Sequence, residues 1–308
     1  MLLMLAAVPA LFWDGAADTA PALRDAGIQQ IVVPAATLAS WKGVAGIAAE
    51  AGGPQSAVKV QTPTVNYRMN EATATRAPWV VANGWRFIRR PTGRYYYDAP
   101  GKQAAMAAAE AFCYGADALI HTDAAGLKPL AEMLGFLRSL PAEPLPPVSD
   151  IGYLDDGSAT SGEVMNLMVR DNLLFKLVTA PDRSLKLNVK LGTKEFPLED
   201  AKNPGTIARE VRANLTDEKR SVRVYGSQVV VVRLTAAGDH ARLQLLNYAG
   251  ADRKVEGIRV RLLGQYSKHQ LFAAGGKAGE LMDYTADSEA TEFTLPELTT
   301  YAIVDLSR

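Results

Sequence analysis

Acidic, aromatic and amide side chains follow several short apolar stretches in the first half of the chain. They are Trp13, Asp14, Asn66, Tyr67, Asn83, Trp85, Asp98, His121 and Asp123. Because the carboxyl ends of parallel strands expose their side chains to one crevice, we expect this set to gather there. Carboxylates and amides satisfy hydroxyl groups, and Trp and Tyr faces cover apolar C–H patches. The set therefore suits a carbohydrate partner.

Hydrolysis of a glycosidic bond needs two carboxyl groups, about 5–5.5 Å apart for retention or about 6.5–9.5 Å for inversion. Asp14, Asp98 and Asp123 are the best-placed candidates for catalysis, and Glu71 in a polar loop is a fourth. Plainer alternatives stay open, because Asp14 followed by glycine also suits a turn. Asp98 before Ala-Pro-Gly suits a helix entry, and His121 could be a core histidine.

The sequence predicts neither a metal nor a cofactor. Three histidines are too few to suggest a His-based metal site or a catalytic triad. The segment Asp155-Asp156-Gly157 lacks the alternating ligand spacing of a calcium loop, so we predict a solvated turn. Cys113 is the only cysteine, which excludes an intrachain disulfide, and its Ala-rich surroundings indicate a buried thiol rather than a nucleophile.

The composition of the chain argues against some classes of binding partner. The 33 basic and 33 acidic residues balance, so the chain lacks the general positive field that nucleic-acid binding uses. No segment reaches the ~18 apolar residues that a spanning helix needs. The opening MLLMLAAVPA is either a signal-peptide remnant, with a cleavage-like pattern at Val8 and Ala10, or a first core strand. We expect a periplasmic or secreted protein, otherwise a cytoplasmic one, and an oligomer is possible.

Strand and helix patterns alternate up to about residue 140, which predicts parallel pairing with right-handed crossovers. We expect a first strand that ends at 11–15 and further strands at 28–35, 56–62, 78–88 and 116–123. Helices are expected at 19–26, 38–53, 102–115 and 127–140. About five strands are too few for a complete eight-stranded barrel. Residues 1–142 are therefore predicted to form a truncated or reduced (β/α) barrel-like domain.

The second half of the chain changes in character. The four prolines of PAEPLPPVSD at 141–150 predict a stiff linker. Residues 148–220 then predict a small α/β middle domain, and period-two patterning over 221–308 predicts an antiparallel β-sandwich. Its predicted buried residues are Val230, Val232, Leu234, Leu243, Leu245, Ile258, Val260, Leu262, Phe293, Leu295, Ile303 and Val304.

This arrangement resembles that of multidomain bacterial glycoside hydrolases, in particular the family 42 beta-galactosidases. The segments that carry the resemblance are WDG at 13–15, 109–123, 162–182, LQLLNYAG at 243–250 and TTYAIVDL at 299–306. The resemblance implies a barrel, a middle domain related to class I glutamine amidotransferases and a C-terminal β-domain.

In that family two barrel glutamates at strand ends perform the chemistry. In this chain Glu50, Glu110 and Glu132 lie in predicted helices instead. Two function classes therefore stay open. The first is a glycoside hydrolase-like protein that works through strand-end aspartates. The second is a non-catalytic glycan-binding or structural protein with a degenerate barrel.

Overall fold

The computed structural model describes residues 8–67, 78–250, 252–275 and 279–308. Its strands are β1 (Ala10–Leu11), β2 (Gln30–Val33), β3 (Ala48–Ala51), β4 (Val58–Lys59), β5 (Thr64–Asn66), β6 (Trp79–Val81), β7 (Arg94–Asp98), β8 (Asp117–His121), β9 (Ile151–Tyr153), β10 (Phe175–Leu177), β11 (Leu187–Val189), β12 (Val222–Tyr225), β13 (Val230–Ala237), β14 (His240–Asn247), β15 (Val255–Leu263), β16 (Lys268–Ala273), β17 (Met282–Ala286), β18 (Ala290–Leu298) and β19 (Tyr301–Ser307). Its α-helices are α1 (Ala20–Asp25), α2 (Leu38–Trp41), α3 (Gly84–Arg89), α4 (Gln103–Tyr114), α5 (Ala124–Ser139), α6 (Ala159–Arg170) and α7 (Pro204–Leu215).

The chain packs as two compact units. The first contains the described residues up to 65 together with 90–144, and the second contains the described residues of 66–89 and 145–308. The fold is mixed α/β with a parallel-strand part and antiparallel sheets at the C-terminus. The finer division into domains at 1–142, 148–220 and 221–308 stays a prediction.

Parallel strands form the centre of the first unit. Ladders join β1 to β8, β8 to β7 and β7 to β4, and a second parallel pair joins β2 to β3. A bridge between Phe12 and Val32 connects the strand region of β1 with β2. The first and last strands of the unit are therefore neighbours, which is the order around a (β/α) barrel. Among the described residues no ladder joins β3 to β4.

The helix α4 covers this sheet with small residues. Its alanines are almost all buried, and it ends at Gly115, whose φ of 65° is the left-handed conformation that glycine adopts without strain. Cys113 is 3% exposed, so the prediction of a buried thiol is confirmed. The predicted helices at 102–115 and 127–140 are confirmed as α4 and α5, although α5 begins a few residues earlier.

Two predictions of elements in the first ninety residues are wrong. The predicted helix at 38–53 stops after one turn at Trp41, because Gly43 and Gly46 adopt φ values of 80° and 76°. The chain then forms the strand β3, where further helix was expected. The predicted strand at 78–88 ends at Val81, and Asn83 accepts backbone hydrogen bonds from Arg86 and Phe87 at the start of α3.

The second unit contains a three-stranded parallel sheet with β9 between β10 and β11. The helices α6 and α7 pack against each other, and Ser158 caps α6 by accepting the Ser161 N–H at 3.0 Å. The α/β character predicted for residues 148–220 is confirmed. The stiff linker predicted at 141–150 is in part a sheet edge, because the Val148 N–H donates to the carbonyl of Leu234 and the carbonyl of Pro146 accepts the Ala236 N–H, both in β13. Those two residues extend a sheet edge.

Two four-stranded antiparallel sheets complete the second unit. Their orders are β12-β15-β18-β17 and β13-β14-β19-β16, and inward residues of both form one apolar cluster. All the residues predicted to be buried in the sandwich are buried. Ile303 and Val304 are neighbours in β19, so their side chains point to opposite faces of the sheet. Val304 belongs to the cluster between the sheets, whereas Ile303 is buried outside it.

Throughout the described ranges, every helix is too short or too polar to cross a membrane.

Candidate functional site at the strand ends of the first unit

The carboxyl ends of three neighbouring strands bring together an imidazole and two carboxylates. Asp98 ends β7 and His121 ends β8, and the two residues are register partners in the ladder. Asp14 follows β1, which pairs with β8 on its other side. The parallel sheet therefore places the three side chains at one edge.

The imidazole of His121 lies between the two carboxylates. Its Nδ1 is 3.0 Å from Oδ1 of Asp98, and its Nε2 is 3.4 Å from Oδ1 of Asp14. Lys59 at the end of β4 adds a cation, with its Nζ 3.6 Å from Oδ2 of Asp98. The side chains of Asp14 and Asp98 are 62% and 51% exposed, so both carboxylates remain available to a ligand from solvent.

Asp98 is held in its ionised form. The hydrogen bond from His121 lowers the pKa of the Asp98 carboxyl, burial opposes this, and the charges of His121 and Lys59 lower it further. A carboxyl that loses its proton more readily than usual serves as a base, a nucleophile or a hydrogen-bond acceptor. It does not serve as a general acid near neutral pH, which needs a raised pKa.

Two aromatic rings support the imidazole. Tyr96 stacks on His121 with ring centroids 6.4 Å apart and an angle of 22° between the planes, and Phe12 lies 6.3 Å away. Burial, and then the charges of Asp98 and Asp14, raise the pKa of Tyr96. The phenol therefore stays protonated and can donate a hydrogen bond. Tyr95 and Tyr97 point into the core, as expected from strand alternation.

Trp13 stands beside Asp14 with a fixed indole. Its Nε1 donates to Oγ1 of Thr19 at 2.9 Å. A Cβ at Gly15 would lie 2.6 Å from that same Nε1, so only glycine lets the chain pass this close to the ring. The indole is half-buried, and its position next to the carboxylate suits stacking on a sugar ring.

Asp123 already has structural partners. Its Oδ1 accepts the N–H groups of Gly126 and Gly101, both at 2.9 Å, so it caps α5 and ties down the loop that precedes α4. It makes no described contact with Asp14 or Asp98. A catalytic role for Asp123 stays a prediction, to be weighed against this capping role.

The remaining predicted binding residues belong to the second unit. Asn83 is fully buried at the start of α3, and the Trp85 ring packs against the guanidinium groups of Arg86 and Arg89 at 4.2 and 5.8 Å. Tyr67 is 44% exposed with Arg253 at 5.4 Å from its ring, and Asn66 is exposed at the end of β5. The expectation that Asn66, Asn83 and Trp85 follow strands of the same sheet as Asp14 is wrong, because the chain has entered the other unit. Glu71 lies outside the described residues.

Sequence analysis did not single out Lys59 or Phe12, and it did not separate Tyr96 from its neighbours Tyr95 and Tyr97. Lys59 lies inside the weak strand predicted at 56–62, and Phe12 looked like an ordinary core residue. Strand alternation could have identified Tyr96, because it faces opposite to the buried Tyr95 and Tyr97 and lies two residues before Asp98.

The cluster does not have the geometry of a metal site. Asp14 and Asp98 contact opposite nitrogens of one ring, so the three side chains cannot converge on a single ion. Elsewhere in the described part of the chain, no group of three or more acidic, His or Cys side chains could hold a metal. Asp155 instead pairs with Arg89 through two 2.7 Å hydrogen bonds.

Comparison with known proteins identifies the type of fold only. No family model matches the chain, and no curated protein does. Alpha-L-fucosidase isoenzyme 2 from Paenibacillus thiaminolyticus matches with a TM-score of 0.55 and 8% identity, over 72% of this chain and 62% of that one. The chain therefore spans less than two thirds of that enzyme. The likeness shows a glycoside hydrolase-like fold, and a specific relation to family 42 stays a prediction.

Other solved structures match less well. The maltogenic alpha-amylase AmyB from Thermotoga neapolitana has a TM-score of 0.24 and 9% identity, over 98% of this chain and 99% of that one. A cycloisomaltooligosaccharide glucanotransferase from Paenibacillus sp. has a TM-score of 0.20 and 16% identity, over 50% and 27%. We draw no conclusion from likeness at these scores.

Proposed function

We propose that this chain is a carbohydrate-active, glycoside hydrolase-like protein whose first unit is a reduced (β/α) barrel that binds a glycan at its strand ends. The observation that carries the proposal is His121 held between the carboxylates of Asp14 and Asp98. Half-exposed carboxylates accept hydrogen bonds from sugar hydroxyls, and Trp13 offers an aromatic face beside them. In barrels, this edge of the sheet is where ligands bind.

The geometry favours binding over hydrolysis. The imidazole of His121 fills the space between the two carboxylates, where the scissile bond of a substrate would have to lie. The lowered pKa of Asp98 also removes it as the proton donor to a leaving group. Two carboxyl groups with a bridging imidazole instead make a row of hydrogen-bonding groups.

Hydrolysis is the second candidate, and the ionised state of Asp98 favours it. A carboxylate kept charged by His121 and Lys59 is suited to act as a base or a nucleophile. Asp14 would then be the second carboxyl group. This version requires the imidazole to move aside when the substrate binds.

One variant separates the two candidates. A glycan array identifies a ligand, and aryl glycosides of the same sugars test for turnover. If the protein is a binder, Asp98→Asn weakens binding by ~1.5–3 kcal/mol through the loss of charge-assisted hydrogen bonds, and wild type shows no turnover. If it is an enzyme, Asp98→Asn lowers turnover by orders of magnitude and largely preserves affinity.

The matched control is Asp117→Asn. Asp117 begins β8 at the opposite edge of the sheet, and its side chain is 64% exposed. It has the same residue type as Asp98 and lies on the neighbouring strand, but it does not belong to the proposed site. The proposal fails if wild type binds no sugar, or if both variants bind and turn over like wild type.

Export from the cytoplasm belongs to the same proposal, because extracellular glycans are the expected partners. Fractionation of cells that express the full-length protein checks it.

A further inference from the structure

The small parallel sheet of the second unit contains a point at which the strand order reverses. The chain leaves β9 through α6 and returns as β10 on one side, and it later adds β11 on the other side. The segments that follow the three strands leave the sheet at the same edge, on both sides of the carboxyl end of β9. In open α/β sheets a crevice at such a point is the usual place for a ligand.

A cavity of about 590 Å³ lies at this position. Leu154 follows β9, Val178 and Thr179 follow β10, and Lys190 and Leu191 follow β11, and all five line it. The volume falls within the ~300–1,000 Å³ of small-molecule pockets. The cavity belongs to the second unit alone and shares no residue with the Asp14–His121–Asp98 cluster.

The charged groups of the lining balance one another. Asp155 is neutralised by Arg89 through two 2.7 Å hydrogen bonds, and its Oδ1 also accepts the Gly157 N–H at 3.0 Å. Asp156 and Lys190 are exposed, which leaves one anion and one cation at the rim. A ligand with a net charge would therefore gain little from this rim.

An anionic ligand is disfavoured at the start of α6. Ser158 already accepts the Ser161 N–H, and the carboxylates of Asp155 and Asp156 accept the N–H groups of Gly157 and Ser158. A phosphate would have to displace these acceptors and approach two carboxylates. The usual affinity of a helix N-terminus for phosphate is thereby cancelled.

We infer that this crevice is a second binding site, which takes a neutral polyhydroxylated molecule of mono- or disaccharide size. The aliphatic side chains of Leu154, Val178 and Leu191 cover the C–H face of such a ligand. Asp156 accepts hydrogen bonds from its hydroxyl groups, and Lys190 donates to its oxygens. The site is independent of the glycan site proposed for the first unit.

The test uses the full chain with Asp98→Asn, so that binding at the first unit is weakened. Saturation-transfer-difference NMR with D-glucose, L-fucose and maltose as probes measures affinity at the remaining site. Lys190→Met and Asp156→Asn are each expected to weaken binding about tenfold, the loss of one hydrogen bond to a charged group. Thr179→Trp is expected to fill the crevice and abolish binding. Lys194→Met is the matched control, because Lys194 is exposed in the same unit but does not line the cavity.

The inference is overturned if none of the three sugars binds in the Asp98→Asn background, or if Lys190→Met and Asp156→Asn bind like the Lys194→Met control. It is also overturned if inorganic phosphate competes with the sugars. Lys190→Met changes an exposed side chain, so it gives a result even if Thr179→Trp does not fold. If Asp98→Asn weakens sugar binding and the addition of Lys190→Met weakens it no further, the binding belongs to the first unit only. The two proposals can therefore fail separately.

Discussion

Asp98 and His121 occupy paired positions at the ends of adjacent parallel strands, and their side chains are joined by a 3.0 Å hydrogen bond. The backbone of Ala99 extends the same pairing by donating to the carbonyl of His121 at 2.9 Å. The geometry of the pair is therefore set by the ladder and not by the conformation of a loop. A site built on strands holds its side chains more precisely than one built on loops.

Glycan binding is expected to persist on acidification until Asp98 is protonated. The folded-state pKa of Asp98 is lowered, so the carboxylate remains charged below the ordinary value of about 3.9. Affinity should be constant from neutral pH to that region and fall as pH drops through the lowered pKa, and Asp98→Asn should lack this acid limb. Titration of glycan affinity against pH measures both. If glycan affinity already fell with a midpoint near pH ~6.5, the ordinary range of an imidazole, the transition would belong to a group other than Asp98.

The same lowered pKa makes a small contribution to stability. A depressed carboxyl pKa stabilises the folded state above the unfolded value, and the contribution is lost as pH falls through the folded value. The Asp98 side chain is 51% exposed, so solvent screens most of this effect. Asp98→Asn should therefore leave the melting temperature nearly unchanged at neutral pH.

Asp123→Ala is expected to cost about 0.5–2 kcal/mol of unfolding free energy, the range for loss of a helix N-cap. Its Oδ1 accepts the N–H groups of Gly126 and Gly101, and alanine leaves both without that acceptor. Asp123→Asn keeps a capping oxygen and should be nearly neutral for stability. Denaturant unfolding and turnover of aryl glycosides check this. Lost turnover in Asp123→Asn with unchanged stability would support the catalytic role over the capping role alone.

Arg89→Ala is expected to destabilise the second unit by roughly 1.5–3 kcal/mol, the range for hydrogen bonds to a charged group. Arg89 and Asp155 are 18% and 14% exposed and make a bidentate pair. Burial raises the pKa of Asp155, but hydrogen bonds from Arg89, Gly157 and Ser161 lower it more. Removing the guanidinium leaves the carboxylate partly buried and unpaired. A double-mutant cycle with Asp155→Asn should give a coupling energy well above that of the exposed Lys202–Glu199 pair.

Sequence patterning predicted the sandwich well and the first unit only in part. Apolar residues recur at every second position of β14 and β15, because the inward side chains of both sheets pack into one shared core. In the first unit the segment after Trp41 has a helical composition, and the left-handed Gly43 and Gly46 override it. Glycine adopts positive and negative φ about equally readily, so tertiary packing decides which one it takes, and the local sequence pattern does not show this.

The residues of the candidate site could be predicted only where the sequence indicates the end of a strand. His121 belongs to a clear apolar strand, whereas Asp98 ends RYYYD, which the sequence did not identify as a strand, and the sheet brings the two together. Asn83 and Trp85 were misplaced because WVVANGWRFI is apolar enough to predict one continuous strand. The chain has already entered the second unit at Asn66, before β6 begins, and only long-range contacts determine that.

Leu245→Ala should cost about 2–5 kcal/mol, because the side chain is fully buried in the cluster between the two sheets. The matched control is Leu198→Ala, since Leu198 is 60% exposed and should change stability by less than about 0.5 kcal/mol. Urea unfolding monitored by circular dichroism compares the two. Equal effects would mean that the register of β14 is wrong.

Asn247→Ala is expected to be among the most damaging single changes in the sandwich, at about 2 kcal/mol or more. Asn247 ends β14 and is fully buried, and its Nδ2 donates to the carbonyls of Arg253, Leu298 and Thr299 at 2.8–3.1 Å. Its Oδ1 accepts the Ala249 N–H at 3.1 Å. Each buried group left without a partner costs about 1–3 kcal/mol, and alanine leaves several.

Asn247→Asp sharpens this test, because it keeps the size of the side chain but replaces the donor with a carboxylate that faces three carbonyls. It should be at least as destabilising as alanine at neutral pH and should recover partly at acidic pH, where the carboxyl is protonated and can donate. Asn214→Ala, at an exposed helix position, is the control and should be near neutral. Thermal unfolding of the three variants at neutral and acidic pH gives the comparison. If Asn247→Asp were as stable as wild type at neutral pH, the amide would not hold the end of β14 to the turn before β19.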